Sequence, residues 1–309
     1  MISVTADSAN GLFVAACARV HREGRPVAPR GLETHEVLGA HLCLSNPRRR
    51  LVHVPGLRVL NPAFAVAEAV WILSGSDADW ILQYNQALQR FTDDGTLQGA
   101  YGPRLRAWAG DVDQLDRVRT LLTRDPQSRQ AVVQLFDPSR DWAGHRDVPC
   151  TLGYRFFVRD GALVMYTTMR SQDLWLGFPY DVFAATLIQE LLAAWLGVGL
   201  GAYHHHVDSL HLYREHHAAA GAMPDGGPPS PEMSAAGVGW EDLDPLLAGV
   251  LAGELPEGTG PGWDTFAAVL ASYRAWRFRD RQEARALAAG AGAVLGPALT
   301  AWYDHLEAR

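Results

Sequence analysis

Lysine is absent from this chain of 309 residues, whose 27 basic side chains are all arginine. The bias is read as the codon usage of a GC-rich genome and carries no mechanism. Cysteine is also scarce: Cys17, Cys43 and Cys150 are odd in number and widely spaced, which excludes a disulfide framework and leaves free thiols in a reducing compartment. No run of about 18 or more apolar residues is present to span a membrane. The N-terminus MISVTADSANGLF lacks a charged segment followed by a long apolar one, so a cytoplasmic protein without a membrane partner is expected. A net charge of −7 argues against a nucleic-acid duplex as partner, because duplex binding needs a basic stripe. A small phosphorylated ligand needs only a few local arginines. No internal repeat is visible.

What is present suffices for a large core, as one α/β domain or two smaller ones. Asn61 to Gly75 reads as a buried helix, capped by Asn61 with Pro62 in its first turn and carrying one charge, Glu68. A second helix is predicted from Asp77 to about Arg90, then a loop ending in Tyr101-Gly-Pro-Arg-Leu-Arg106, then an amphipathic helix from Asp113 to Arg124. Alternation predicts strands at Gln130 to Phe136, Leu152 to Arg159 and Ala162 to Met169, the last two joined as a hairpin at Asp160-Gly161. Tyr180 to Leu196 is apolar almost all round and reads as a central buried helix, with another strand over Tyr203 to Tyr213. The Gly-, Pro-, Ala- and Ser-rich stretch at about 218–239 reads as a flexible loop or insertion, and the tail at about 263–309 as helical.

Chemistry concentrates in a few motifs. Cys150 stands in Asp147-Val-Pro-Cys-Thr-Leu-Gly-Tyr154, and twenty residues on comes Arg170-Ser-Gln-Asp-Leu-Trp-Leu-Gly-Phe-Pro-Tyr-Asp181. Glu68 precedes Trp71-Ile-Leu-Ser-Gly75, Tyr101 opens a Tyr-Gly-Pro turn, and Asp208-Ser-Leu-His-Leu-Tyr213 sets His211 and Tyr213 on one strand face. Taken alone, a lone cysteine defaults to a small buried hydrophobe, and a buried carboxylate is structural as often as functional. Together, over Phe64 to Tyr213, these segments resemble the thymidylate synthase family, closest to its cytidylate (CMP or dCMP) 5-hydroxymethylases. The implied fold is α/β (α+β): a single domain over 1–309, a mixed β-sheet packed against a central buried helix, and a homodimer formed sheet to sheet.

The resemblance implies a role for each matching residue. Cys150 is the nucleophile that adds at C6 of a pyrimidine, since C5 is too poor a nucleophile without covalent activation. A free thiol is mostly protonated at neutral pH, so Arg170 is expected to depress its pKa. Arg170 and Ser171 match a phosphate-binding pair, with Gln172 and Asp173 beside them on the substrate. Arg129, in Asp125-Pro-Gln-Ser-Arg, reaches the neighbouring subunit's site, although Gln130 stands where the family has a second arginine. Arg30 lies one residue off the family's mobile N-terminal arginine. Glu68 and Tyr101 organise water and move protons, while Asp173, Gly177 and Glu68 face the co-substrate 5,10-methylenetetrahydrofolate. His211 and Tyr213 bind the sugar, and Ala184 sits beside the nucleotide where the family commonly has serine. The surface run Arg48-Arg49-Arg50 reads as simple solvation.

Asp181 replaces the family's asparagine and selects the base. Cytosine presents an N4 donor and an N3 acceptor, whereas uracil presents O4 as acceptor and N3–H as donor. A carboxylate facing O4 sets two acceptors against each other, but it takes the N4 hydrogen of cytosine. Further departures are Thr151 for the usual histidine, Met169 for glutamine, no tryptophan around Gln89 to Phe91, and a different C-terminal tail. They thin the folate pocket and should let water, in place of hydride, reach the activated one-carbon unit. The expectation is a hydroxymethyltransferase acting on CMP, with Ala184 tilting the choice to ribose; dCMP, dUMP methylation and a non-catalytic nucleotide- or RNA-binding relative are the alternatives. Asp181 argues against dUMP, and the joint presence of Cys150, Glu68, Arg170 and Asp181 argues against a pure binder. His204-His205-His206 alternates across a strand, so no metal is expected.

Overall fold

The structure is a computed structural model, and it describes residues 1–228, 230–254 and 259–308. The strands are β1 (Ile2–Ala6), β2 (Arg25–Val27), β3 (Thr34–Leu44), β4 (Val132–Gln134), β5 (Thr151–Arg159), β6 (Ala162–Met169), β7 (Gln172–Asp173) and β8 (Gly199–Tyr213). They form a mixed sheet in the order β1-β3-β8-β6-β5-β4, with β2 paired to β3 and β7 to β8. Strand β8 runs parallel to β6 and antiparallel to β3. The helices are α1 (Ala9–Glu23), α2 (Pro62–Leu73), α3 (Tyr101–Arg106), α4 (Gln114–Arg124), α5 (Phe178–Leu196), α6 (His217–Gly221), α7 (Leu243–Ala252), α8 (Pro261–Arg277), α9 (Arg281–Gly290) and α10 (Gly292–Glu307). Position 229, inside the predicted loop, and position 309, at the end of the predicted tail, lie outside the described residues.

Helix α5 is the core of the molecule because its sequence gives it no polar face to expose. It packs against β6, β8, α1 and α2. Its interior Gln189 is tolerated because Nε2 donates to the carbonyls of Leu163 (2.8 Å) and Gly201 (3.0 Å). Strand alternation sends Leu163, Met165, Thr167 and Met169 of β6 and Tyr203, His205 and Val207 of β8 inward. The opposite face is half-buried and carries a stacked set of Tyr166, His41, His204 and His206.

The Asp160-Gly161 hairpin forms as expected, with φ of 50° and 72° at its two central residues. Other expectations are corrected. The predicted helix from Asp77 to Arg90 is two short 3-10 segments, Asp79–Gln83 and Gln86–Phe91. Asn61 Nδ2 draws off the carbonyl of Tyr84 (2.9 Å), and the side chain of Asn85 accepts from the backbone N–H of Ala87 (3.2 Å), so the helical ladder is interrupted there. The predicted loop ending at Arg106 instead closes in the short helix α3, in which Pro103 sits in the first turn where no N–H is required.

The arginine run is not a solvated stripe. Arg50 is 1% exposed and pairs with Glu190 of α5, while Arg48 and Arg49 pair with Glu232 and Asp7. The same Glu190 accepts from the backbone of Ala236 (3.1 Å), and Met233 donates to the carbonyl of Arg48 (3.0 Å). These bonds pin the second half of the predicted flexible stretch against the core. Residues 1–60, which the motifs do not cover, contribute β1, α1, β2 and β3 to the sheet edge. Among the described residues, no helix is long and apolar enough to cross a membrane.

Candidate active site

The twenty-residue spacing between Cys150 and Arg170 has a simple cause. The β5–β6 hairpin pairs Thr151 with Met169 after a bulge between Thr151 and Gly153, so the residues just outside that pair face each other. Arg170 donates its backbone N–H to the Cys150 carbonyl at 2.9 Å. Its guanidinium is then held by backbone acceptors, Nε to Pro149 O (2.9 Å) and Nη2 to Val148 O (3.0 Å), with Nη2 at 3.8 Å from Cys150 Sγ.

The electrostatics differ from the expectation of a depressed thiol. Burial pushes the Cys150 pKa up to about 11; Arg170 opposes the rise, Asp181 and Asp147 add to it, and Arg30 opposes it weakly. One guanidinium does not offset desolvation of an anion. Arg30 is exposed, on a backbone at φ 55° and ψ 25° that a non-glycine side chain rarely adopts.

Glu68 projects from α2 and keeps only partial solvent access. Burial first, then the nearby Asp181, raises its pKa well above the usual carboxylate value. Tyr101, at the start of α3, accepts from the backbone N–H of Thr151 (3.2 Å), the residue after Cys150. Burial first, then Asp181 and Cys150, hold its phenol protonated. Helix α3 is anchored through Arg104, whose guanidinium grips Asp141 at 2.7 Å through both Nη atoms and donates to Leu135 O (2.7 Å).

Asp181 lies in the first turn of α5, where a carboxylate is ordinarily favoured by the helix dipole. Burial overrides this and raises its pKa to about 6, against a hydrogen bond from Gln172 and with Asp173 adding to the rise. Gln172 Nε2 donates to Asp181 Oδ2 at 2.9 Å. Gly177 is required beside that bond: a Cβ there would lie 2.8 Å from Gln172 Nε2 and 3.3 Å from Asp181 Oδ2. Asp173 accepts from the backbone N–H groups of Trp175 (2.9 Å) and Leu176 (3.0 Å) through Oδ1, leaving Oδ2 for another donor. His211 exerts an attraction on Asp173, and its ring meets Tyr213 edge to face at 5.4 Å.

Cys150, Arg170, Glu68, Tyr101, Asp181, Gln172, Asp173 and Gly177 are thus brought together, with His211 and Tyr213 adjoining through Asp173. Ser171 follows β6, half-buried and without a side-chain hydrogen bond among the described residues. Ala184 is one turn beyond Asp181 and is 3% exposed. Arg129 stands apart, exposed on the chain between α4 and β4, and no partner engages it among the described residues. No group of three or more His, Cys, Asp or Glu among the described residues could hold a metal ion. Two cavities of about 440 and 420 Å³ lie elsewhere, and neither is lined by Cys150, Glu68 or Asp181.

The sequence of the thymidylate synthase family matches residues 12–228. The chain belongs to the thymidylate synthase family. It is 37% identical over 222 residues to a deoxyuridylate hydroxymethyltransferase of Bacillus phage SP01, covering 67% of this chain and 58% of that protein. It is 32% identical over 161 residues to a thymidylate synthase of Bacillus licheniformis, covering 49% of this chain and 57% of that protein. The chain thus spans less than two thirds of the length of these curated relatives. Helices α7 to α10 lie beyond the family match.

Sequence reasoning missed Asp147, Tyr154, Tyr203, His205 and Thr167. Asp147 accepts from Gly99 N–H at 3.0 Å and has its pKa raised by burial. Tyr154, 3% exposed, faces both Asp181 and Glu68 electrostatically. Inward alternation along β5, β6 and β8 was the available signal for all but Asp147.

Proposed function

We propose that the protein is a folate-dependent nucleotide hydroxymethylase that acts at C5 of a cytidine monophosphate and works as a homodimer in the cytoplasm. The observation that carries this reading is Asp181, a carboxyl group with one oxygen already held as an acceptor by Gln172, at the place that faces the pyrimidine edge in relatives. The name of the phage relative favours hydroxymethyl over methyl transfer, and it also favours a second reading in which the base is uracil.

In the mechanism Cys150 adds to C6 of the base and turns C5 into a carbon nucleophile. Arg170 beside Sγ is the charge that an anionic thiolate needs, and closure of the nucleotide phosphate on the same arginines would couple binding to activation. 5,10-Methylenetetrahydrofolate supplies the one-carbon unit, and the free Oδ2 of Asp173 and the backbone at Gly177 fit its pterin. Glu68 and Tyr101, whose pKa values burial raises, hold and move protons among ordered waters. Asp181 accepts the N4 hydrogen and shares a proton with N3. With the C5 hydrogen lost as a proton and tetrahydrofolate released, a water molecule captures the C5 methylene as Cys150 leaves C6, giving the 5-hydroxymethyl nucleotide.

Incubation with methylenetetrahydrofolate and each of CMP, dCMP and dUMP, followed by product mass, tests the assignment. A product 30 mass units heavier from CMP is expected, that being the mass of the added CH2O; product from dUMP alone would favour the uracil reading. Arg129, unpartnered within its own chain, is proposed to serve the other subunit's site. Mixing inactive Arg129→Ala with inactive Cys150→Ala subunits should then restore activity in hybrid dimers. Absence of recovery after verified exchange would place the whole site in one chain.

A further inference from the structure

The carboxyl of Asp181 is the end of a buried chain of side chains. Gln172 Nε2 donates to its Oδ2, Gln172 Oε1 lies 2.9 Å from His205 Nε2, and His205 Nδ1 lies 2.8 Å from the hydroxyl of Tyr203. The Tyr203 hydroxyl is in turn 2.9 Å from that of Thr167. Gln172, His205, Tyr203 and Thr167 are all 2% exposed or less, so water does not interrupt the series. Burial, with His206 adding to it, lowers the His205 pKa to about 3, and a neutral imidazole has one N–H and one lone pair. The hydrogen bonds must therefore all run in one sense.

Two senses are conceivable. In one, protons point from Tyr203 through His205 and Gln172 to Asp181, and Oδ2 is an acceptor. In the other, every bond is reversed, the Gln172 amide is turned over, and Oδ2 itself carries a proton. The backbone decides between them. Gln172 Nε2 also lies 3.3 Å from the carbonyl oxygen of Asp173, a group that can only accept, so the nitrogen belongs on that side and the first sense holds.

The consequence concerns base selection and rests on the cytidylate reading above. A protonated carboxyl free to move its proton between two oxygens offers donor–acceptor and acceptor–donor orders equally, and so matches cytosine and uracil alike. With Oδ2 accepting from Gln172, the proton is favoured on Oδ1, because the carbonyl oxygen of a carboxyl is a better acceptor than its hydroxyl. We propose that Gln172 and His205 are positioning residues that break the symmetry of the Asp181 carboxyl, and that the fixed order of its two oxygens distinguishes cytosine from uracil.

The test is Gln172→Met, which keeps the volume and removes both hydrogen bonds. The ratio of kcat/KM for cytidine over uridine monophosphate should fall by about tenfold, with both single rates retained to a larger degree than in Cys150→Ala. The acid limb of the kcat/KM profile should also move to higher pH, because the bond from Gln172 is what holds the Asp181 pKa down. A folded variant with an unchanged ratio overturns the inference, since a merely structural role would lower both rates together. Should Gln172→Met fail to fold, Tyr203→Phe and long-range 1H–15N NMR of His205 in the native protein decide. The former should lower the ratio about twofold to threefold, and the latter should show the proton on Nε2 at neutral pH. A retained ratio, or a proton on Nδ1, overturns the relay. Asp181→Asn separates the two ideas: if it shifts the ratio and Gln172→Met does not, the relay alone is wrong; if it does not, the base reading is wrong and the relay's role in selection falls with it.

Discussion

The two ends of the site are built on different principles. At the Cys150 end, Arg170 is held almost wholly by main-chain acceptors at the mouth of a hairpin, the carbonyls of Pro149, Val148 and Cys150 itself. At the other end, the Asp181 carboxyl is held by side chains only, through Gln172 to His205 and Tyr203. Main-chain support places atoms and tolerates substitution around them. Side-chain support places protons as well, and a single change in it is felt several residues away.

The largest effect expected from this contrast is at the nucleophile. Cys150→Ala should abolish product and also the exchange of the substrate's C5 hydrogen with solvent, a loss of about a thousandfold or more because no other group can form the C6 adduct. Exchange at near the native rate would remove Cys150 from the mechanism.

The next effect separates placement from activation. With its pKa near 11, only about one Cys150 in a thousand is a thiolate at pH 8. Alkylation by iodoacetamide, followed on the Cys150 peptide, should therefore rise about tenfold per pH unit between pH 7 and 10. Arg170→Leu should slow it further, since Arg170 is the charge that opposes desolvation. A plateau already at pH 8 would show a thiol activated without substrate.

The smallest effect is at the other end. Asp181 has a folded pKa near 6, raised above its unfolded value of about 3.9. Its stabilising contribution is complete below the unfolded pKa and is lost as pH rises through the folded one. Asp181→Asn should thus gain roughly 1–3 kcal/mol over the native protein at pH 8, measured by urea unfolding, and nothing of this kind at pH 3. Equal differences at both pH values would mean that ionisation of Asp181 is not what strains this end.

The same contrast explains what could be read from the chain alone. Cys150, Arg170, Glu68 and Asp181 stand in contiguous motifs, and helix α2, the hairpin and helix α5 follow from apolar runs with clear caps. The arrangement that surrounds Asp181 joins positions 167, 172, 181, 203 and 205, which meet only once β6, β7 and β8 are side by side. Local pattern also misjudged Arg50, because its partner Glu190 is far along the chain, and the thiol pKa, because motif spacing reports which charge is near but not how much water is lost.

Helix α2, which carries Glu68, is flanked by α5 and also by α8 and α10, and the last two fall beyond the segment shared with the family. Glu68 thus stands on a helix that packs in part against helices beyond the family match. A chimera that kept residues 12–228 and took its tail from a relative would inherit Cys150 and Asp181 intact. It would have to find its own seating for Glu68.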